Sequence, residues 1–181
     1  GDDILNGLSG DDIINGGDGA DILDGGDGDD VIDGGNGDDL ITDSDGDDII
    51  RGGAGNDRIE IFRNYEHRDQ TLSIDAGNDD DTVIYENDRE GIATIDLGAG
   101  DDVLTISRIR DARITLGEGS DTINGVVAQS LNAVITDFEV GDGGDVFDLA
   151  EFAAQNLNNW DQQGNPFADA RYADAKRKLI R

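Results

Sequence analysis

The sequence predicts an all-β solenoid built from short strands. Seven glycines recur at an unbroken nine-residue interval, an aspartate follows each two residues later, and an aliphatic residue follows each aspartate after two more. The glycines are Gly1, Gly10, Gly19, Gly28, Gly37, Gly46 and Gly55, and the aspartates are Asp3, Asp12, Asp21, Asp30, Asp39, Asp48 and Asp57. The aliphatics are Leu5, Ile14, Leu23, Ile32, Ile41, Ile50 and Ile59. So short a fixed period marks a chain that stacks one small unit on the next.

The cleanest unit reads Gly16, Gly17, Asp18, Gly19, Ala20, Asp21, Ile22, Leu23, Asp24. Its first half must turn sharply, and glycine alone enters positive φ without a Cβ penalty. Its last three residues predict a strand whose middle residue faces inward and whose neighbours face outward, because strand side chains alternate. Two nine-residue units then complete one coil of eighteen residues, with one strand on each of two sheets. Loops eighteen residues apart stack on the same edge, which gives two columns: Asp3, Asp21, Asp39 and Asp57, and Asp12, Asp30 and Asp48. The preceding Asp2, Asp11, Asp29, Asp38 and Asp47 are turned toward solvent by the same alternation.

Charge limits the possible functions. Asp+Glu 43 against Lys+Arg 13 gives a net charge of −30, and residues 1–57 hold eighteen aspartates, no glutamate and Arg51 as their one cation. Self-repulsion on that scale opposes compaction, so the bare chain is expected not to fold. Stacked strands lie about 4.8 Å apart, a spacing at which carboxylates repel unless a cation lies between them. Oxygen ligands in Gly-rich loops, with no Cys and one His, suit Ca²⁺ better than zinc, copper or iron. Nucleic acid is excluded as a main partner, since phosphate recognition needs a basic surface. Without cysteine the chain does not rely on disulfides, and calcium is the candidate staple. The longest apolar runs are too short to span a bilayer. A chain that begins in mid-repeat is expected to be a fragment of something longer.

The unit G-G-x-G-x-D-x-U-x, with U aliphatic, resembles the RTX (hemolysin-type) calcium-binding repeat. The resemblance implies a right-handed parallel β-roll in which loop carbonyls, among them those of Gly16, Gly25, Gly34 and Gly52, and the repeat aspartates of two successive same-edge loops hold each ion. The ligand role carries over to Asp3, Asp12, Asp21, Asp30, Asp39, Asp48 and Asp57. Two loops depart from the pattern. Leu8 replaces the second glycine of its loop and is expected to strain the turn. Asp43 and Ser44 replace a glycine pair, on the expectation that aspartate tolerates positive φ better than most residues.

Four segments follow: a roll at 1–60 with loops on both edges, a polar connector at 61–71, a second roll at 72–149, and a C-terminal cap with a basic tail at 150–181. In the second roll the loops end at Asp81, Asp102, Asp121 and Asp145, spaced 21, 19 and 24 apart, so one loop per coil is expected, with calcium along one edge. Ile74, Ile95, Ile114 and Phe138 precede these aspartates by seven residues, and Val83, Leu104, Ile123 and Phe147 follow by two. The opposite edge, at 85–91, 107–112 and 125–132, lacks the motif. Residues 134–149 look like the segment that closes RTX blocks in large proteins exported by type I secretion, adhesins especially. Phe138, Phe147, Phe152 and Trp160 are expected to cap the open end, and Asn165 followed by Pro166 predicts the start of a helix over 167–181. About six to eight Ca²⁺ ions are expected in all.

No catalytic constellation survives inspection. Paired carboxylates occur at every repeat, His67 stands alone in the connector, and Gly7, Leu8, Ser9, Gly10, Asp11 misses the nucleophile elbow at its last residue. The outward aliphatics form ladders, Ile4/Ile22/Leu40 and Ile13/Val31/Ile49, suited to mutual packing or to docking a neighbour. The resemblance therefore implies a non-catalytic, extracellular calcium-binding module of a secreted bacterial protein. Calcium would trigger its folding and assist type I secretion, with the rest of a larger polypeptide and the secretion machinery as partners. The alternative is a carbohydrate- or surface-binding module of an adhesin or polysaccharide-modifying enzyme.

Overall fold

The computed structural model describes residues 1–63, 70–86, 92–107, 111–126, 132–139 and 144–148. The cap and tail at 150–181, with Phe152, Trp160 and the expected helix, lie outside them, as do His67 and most of the connector. The strands are β1 (Ile4–Asn6), β2 (Ile13–Asp18), β3 (Ile22–Asp24), β4 (Val31–Asn36), β5 (Leu40–Asp43), β6 (Asp48–Ala54), β7 (Arg58–Phe62) and β8 (Thr71–Asn78). They continue as β9 (Thr82–Glu86), β10 (Ile92–Asp96), β11 (Val103–Ser107), β12 (Asp111–Thr115), β13 (Thr122–Val126), β14 (Asn132–Ile135) and β15 (Val146–Asp148).

Odd-numbered strands form one 8-stranded sheet and even-numbered strands a 7-stranded sheet, each in sequence order and parallel throughout. The described residues form a β-solenoid, and both blocks share both sheets, because β8 pairs with β6 and β9 with β7 across the connector. Parallel pairing at this register follows from the period, since a one-residue slip would send every aliphatic to the wrong face.

The core is two facing stacks. Ile14, Ile32, Ile50, Ile74, Ile95 and Ile114 follow one another on one sheet. Leu23, Ile41, Ile59, Val83, Leu104 and Ile123 do so on the other. All twelve are buried, and each such side chain contributes about 1.5–3 kcal/mol of transfer free energy. The next rung after Ile114 is Ile135, not Phe138. Asp145 follows Asp121 by 24 residues but Ile135 follows Ile114 by 21, so the extra residues lie between strand and loop. Phe138 packs against the core from a half-buried position. The outward ladders stand in the expected register, with Ile4, Ile13, Ile22 and Ile49 exposed.

The two edges diverge after the first block. On one, loop follows loop from Asp57 to Asp81, Asp102 and Asp121. On the other, Leu72, Ala93 and Ala112 take the register of Asp48, and Ile61, Tyr85 and Ile106 take that of Asp43. Side chains that are buried, or half-buried at Ile106, occupy there the positions that loops hold in the first block.

Candidate metal centre

Two ladders of aspartates run along the loops in opposite senses. In the inner ladder each carboxylate reaches back one coil: Asp39 Oδ1 accepts from the Asp21 amide, and Asp57 Oδ1 from that of Asp39. The chain of bonds runs from Asp3 through Asp21, Asp39, Asp57, Asp81, Asp102 and Asp121 to Asp145, at 2.7 to 3.2 Å. A shorter ladder on the other edge joins Asp12, Asp30 and Asp48. The outer ladder reaches forward: Asp11 Oδ1 accepts from Asp29, and Asp29 Oδ1 from Asp47. Asp2, Asp11, Asp29, Asp38 and Asp47 are exposed, as alternation requires.

One carboxylate oxygen of each inner aspartate from Asp21 and Asp30 onward is thus held against backbone, and in seven of them the second is stranded. Oδ2 of Asp21, Asp30, Asp39, Asp57, Asp81, Asp102 and Asp121 is buried and has no hydrogen-bond partner. A buried charge in that state is costly unless something pairs with it. Burial, augmented by neighbouring carboxylates and partly offset by the backbone amide, pushes Asp57, Asp102 and Asp121 up to about 6 and Asp81 to about 8. Asp30, Asp39 and Asp48 are raised for the same leading reason. Asp3 is exposed and Asp12 half-buried at the first coils.

Glycine keeps room beside these oxygens. A methyl group on Gly16 would lie under 3.0 Å from both Asp21 Oδ2 and the Gly34 carbonyl oxygen. The same holds for Gly34 with Asp39 Oδ2 and the Gly52 carbonyl, and for Gly52 with Asp57 Oδ2 and the Ala76 carbonyl. At Gly7 the converging atoms are Asp12 Oδ2 and the Gly25 carbonyl. Stranded carboxylate oxygens and backbone carbonyls meeting at a cradle that a Cβ would fill are the donor set a hard divalent cation takes, so these residues fit Ca²⁺. In the second block the equivalent loop positions are Ala76, Leu97 and Leu116, all in the core, so the glycine cradle belongs to the first block.

The two irregular loops behave differently. Leu8 does take the left-handed conformation, at φ 73, with its side chain exposed. Asp43 takes no positive φ, so its tolerance does not rest on backbone conformation. Its side chain instead enters the loop interior, 3 % exposed, and both oxygens lack partners. Burial, reinforced by Asp48, pushes it up to about 8. Asp30, Asp43 and Asp48 bring carboxylate oxygens within 4.8 Å of one another. The eighteen-residue spacing from Gly7 and Gly25 to Asp43 was the available signal for this cluster.

Each column ends by satisfying the oxygen that is stranded elsewhere. Asp48 Oδ2 accepts from Arg63 Nη2 at 2.9 Å, and Asp145 Oδ2 accepts from the Glu139 amide at 2.6 Å. Sequence reasoning had no signal for Arg63, which stands outside any repeat.

Comparison with known proteins agrees with this geometry where the repeats are regular. The family model described as the RTX calcium-binding nonapeptide repeat (4 copies) matches residues 1–32 and 24–59. No curated protein and no solved structure matches the chain.

Proposed function

We propose that this chain, whose residues 1–59 match the RTX calcium-binding nonapeptide repeat, is a calcium-triggered folding module of a secreted protein. The observation that carries the reading is the row of buried, unpartnered Oδ2 atoms of Asp21, Asp39, Asp57, Asp81, Asp102 and Asp121 along one loop column, with that of Asp30 on the other. Asp3, Asp12, Asp21, Asp30, Asp39, Asp48 and Asp57 supply carboxylates, the carbonyls of Gly25, Gly34 and Gly52 converge beside them, and Asp81, Asp102 and Asp121 extend the Asp3 column. Calcium supplies the positive charge that lets these carboxylates stack.

The chain's own residues do the rest. The inner ladder fixes one oxygen of each carboxylate and aims the other into the cradle, so the site is assembled only when neighbouring coils are in register. Coil stacking and ion binding are therefore one equilibrium. A −30 chain stays extended where calcium is scarce and collapses where it is plentiful. That behaviour suits export through a narrow conduit followed by folding outside the cell, with an extracellular location and a role within a larger polypeptide. No helix among the described residues is long and apolar enough to cross a membrane.

Circular dichroism in EDTA, followed by calcium addition, tests the proposal. The chelated protein is expected to lose its β signal and to regain it cooperatively. A β signal indifferent to chelation would overturn the reading.

A further inference from the structure

The junction between the two blocks departs from the repeat in a way the repeat does not explain. At the register where Gly7 and Gly25 leave room, the next coil carries Asp43, and the coil after that carries Ile61. The loop edge there gives way to a packed edge, and Asp43 is the last polar residue before it. Its carboxylate is buried, both its oxygens are unpartnered, and it lies beside two further buried carboxylates. A methyl group on Gly25 would meet Asp43 Oδ1 and Asp30 Oδ2, both under 3.0 Å away. In the other cradles the matching pair is one carboxylate and one backbone carbonyl. Here a side-chain carboxylate stands where the carbonyl stands elsewhere.

We propose that in the site between the loops ending at Asp30 and Asp48, Asp43 is a further Ca²⁺ ligand, standing where the other repeat sites use a backbone carbonyl, and Arg63 trims the charge. Three carboxylates against one guanidinium leave a net charge of two negatives, which one divalent cation neutralises. Arg63 holds Asp48 Oδ2, so Asp48 is oriented while the unpartnered oxygens of Asp30 and Asp43 face the shared space. Calcium affinity depends on the charge of the ligand set and on site rigidity, so Asp43 restores the charge that Arg63 takes from Asp48 while the guanidinium clamps the loop. The site anchors the Asp12 column at the end nearest the packed edge.

This inference rests on the calcium reading of the columns, and one experiment separates the two. Calcium titration calorimetry of the full chain is compared with that of Asp43→Asn and of Asp43→Gly, which restores the residue found at positions 7 and 25. Both variants are expected to weaken one of the ions that the wild type binds roughly tenfold and to leave the remaining ions unchanged. Asp43→Asn removes a buried charge, so it should fold; Asp43→Gly is an independent check should the amide pack poorly. Isotherms of both variants superimposable on the wild type would overturn the Asp43 site and leave the columns standing. A wild type that takes up no calcium would overturn both.

Discussion

Arg63 Nη2 lies 2.9 Å from Asp48 Oδ2, with the two side chains 2 % and 0 % exposed. The guanidinium also donates to the Thr71 carbonyl and the Gln70 side chain, tying the connector's two ends to the last loop of the shorter column. It gives Asp48 Oδ2 the partner that Oδ2 of Asp21, Asp30, Asp39, Asp57, Asp81, Asp102 and Asp121 lacks. Removing one member of a buried pair leaves an uncompensated charge, a loss of about 3–5 kcal/mol. Arg63→Met is expected to lower the unfolding free energy of the calcium-loaded protein by that amount in urea titration. A loss near zero would show that the pair is incidental.

Asp38 and Asp39 are adjacent, yet the structure gives them opposite duties. Asp38 is exposed and caps the Asn56 amide, whereas Asp39 is buried with its second oxygen stranded. Asp39→Ala should raise the calcium concentration at the folding midpoint severalfold, and Asp38→Ala should move it far less. The comparison is read from the circular-dichroism signal against free calcium. Equal shifts would mean that the inner column is not the binding column.

Gly34 tests the cradle itself. A Cβ there would crowd Asp39 Oδ2 and the Gly52 carbonyl, although its φ is not in the left-handed region. Gly34→Ala is therefore expected to reduce the number of bound ions by one without the strain that a side chain at Gly35, φ 107, would add. Atomic absorption after desalting counts the ions. An unchanged stoichiometry and midpoint would remove the cradle from the site.

The metal-free protein should respond to pH in the opposite sense to most acidic proteins. Asp57, Asp102 and Asp121 are raised to about 6 and Asp81 to about 8, all above the unfolded value of 3.8. The folded form then binds more protons than the unfolded one, so its stability is fully present below 3.8 and is lost as pH rises through 6 to 8. In EDTA, β structure is expected to increase on acidification from pH 8 to pH 4, whereas calcium binding weakens over the same range because protons compete for the same oxygens. A chelated protein that loses β signal as pH falls would contradict the burial of these carboxylates.

Over residues 1–59 the nine-residue period alone determined the strands, the inward stacks, the two loop columns and the outward turn of Asp29 and Asp38. A strand has only two faces and a parallel stack only one register that buries every aliphatic, so a strict repeat leaves little else to decide. Where the repeat lapsed, sequence reasoning lapsed with it. Phe138 was assigned a rung that Ile135 holds, because counting back from the loop ignores residues inserted between strand and loop. Asp43 was excused on backbone grounds when its side chain is what the loop accommodates. Only the tertiary structure could place Arg63 against Asp48, fifteen residues away in sequence, and set Leu72 and Ala93 over the end of the shorter column. Those contacts join coils of different length, so no fixed spacing encodes them; they follow from which side chains fill the space once the coils have stacked.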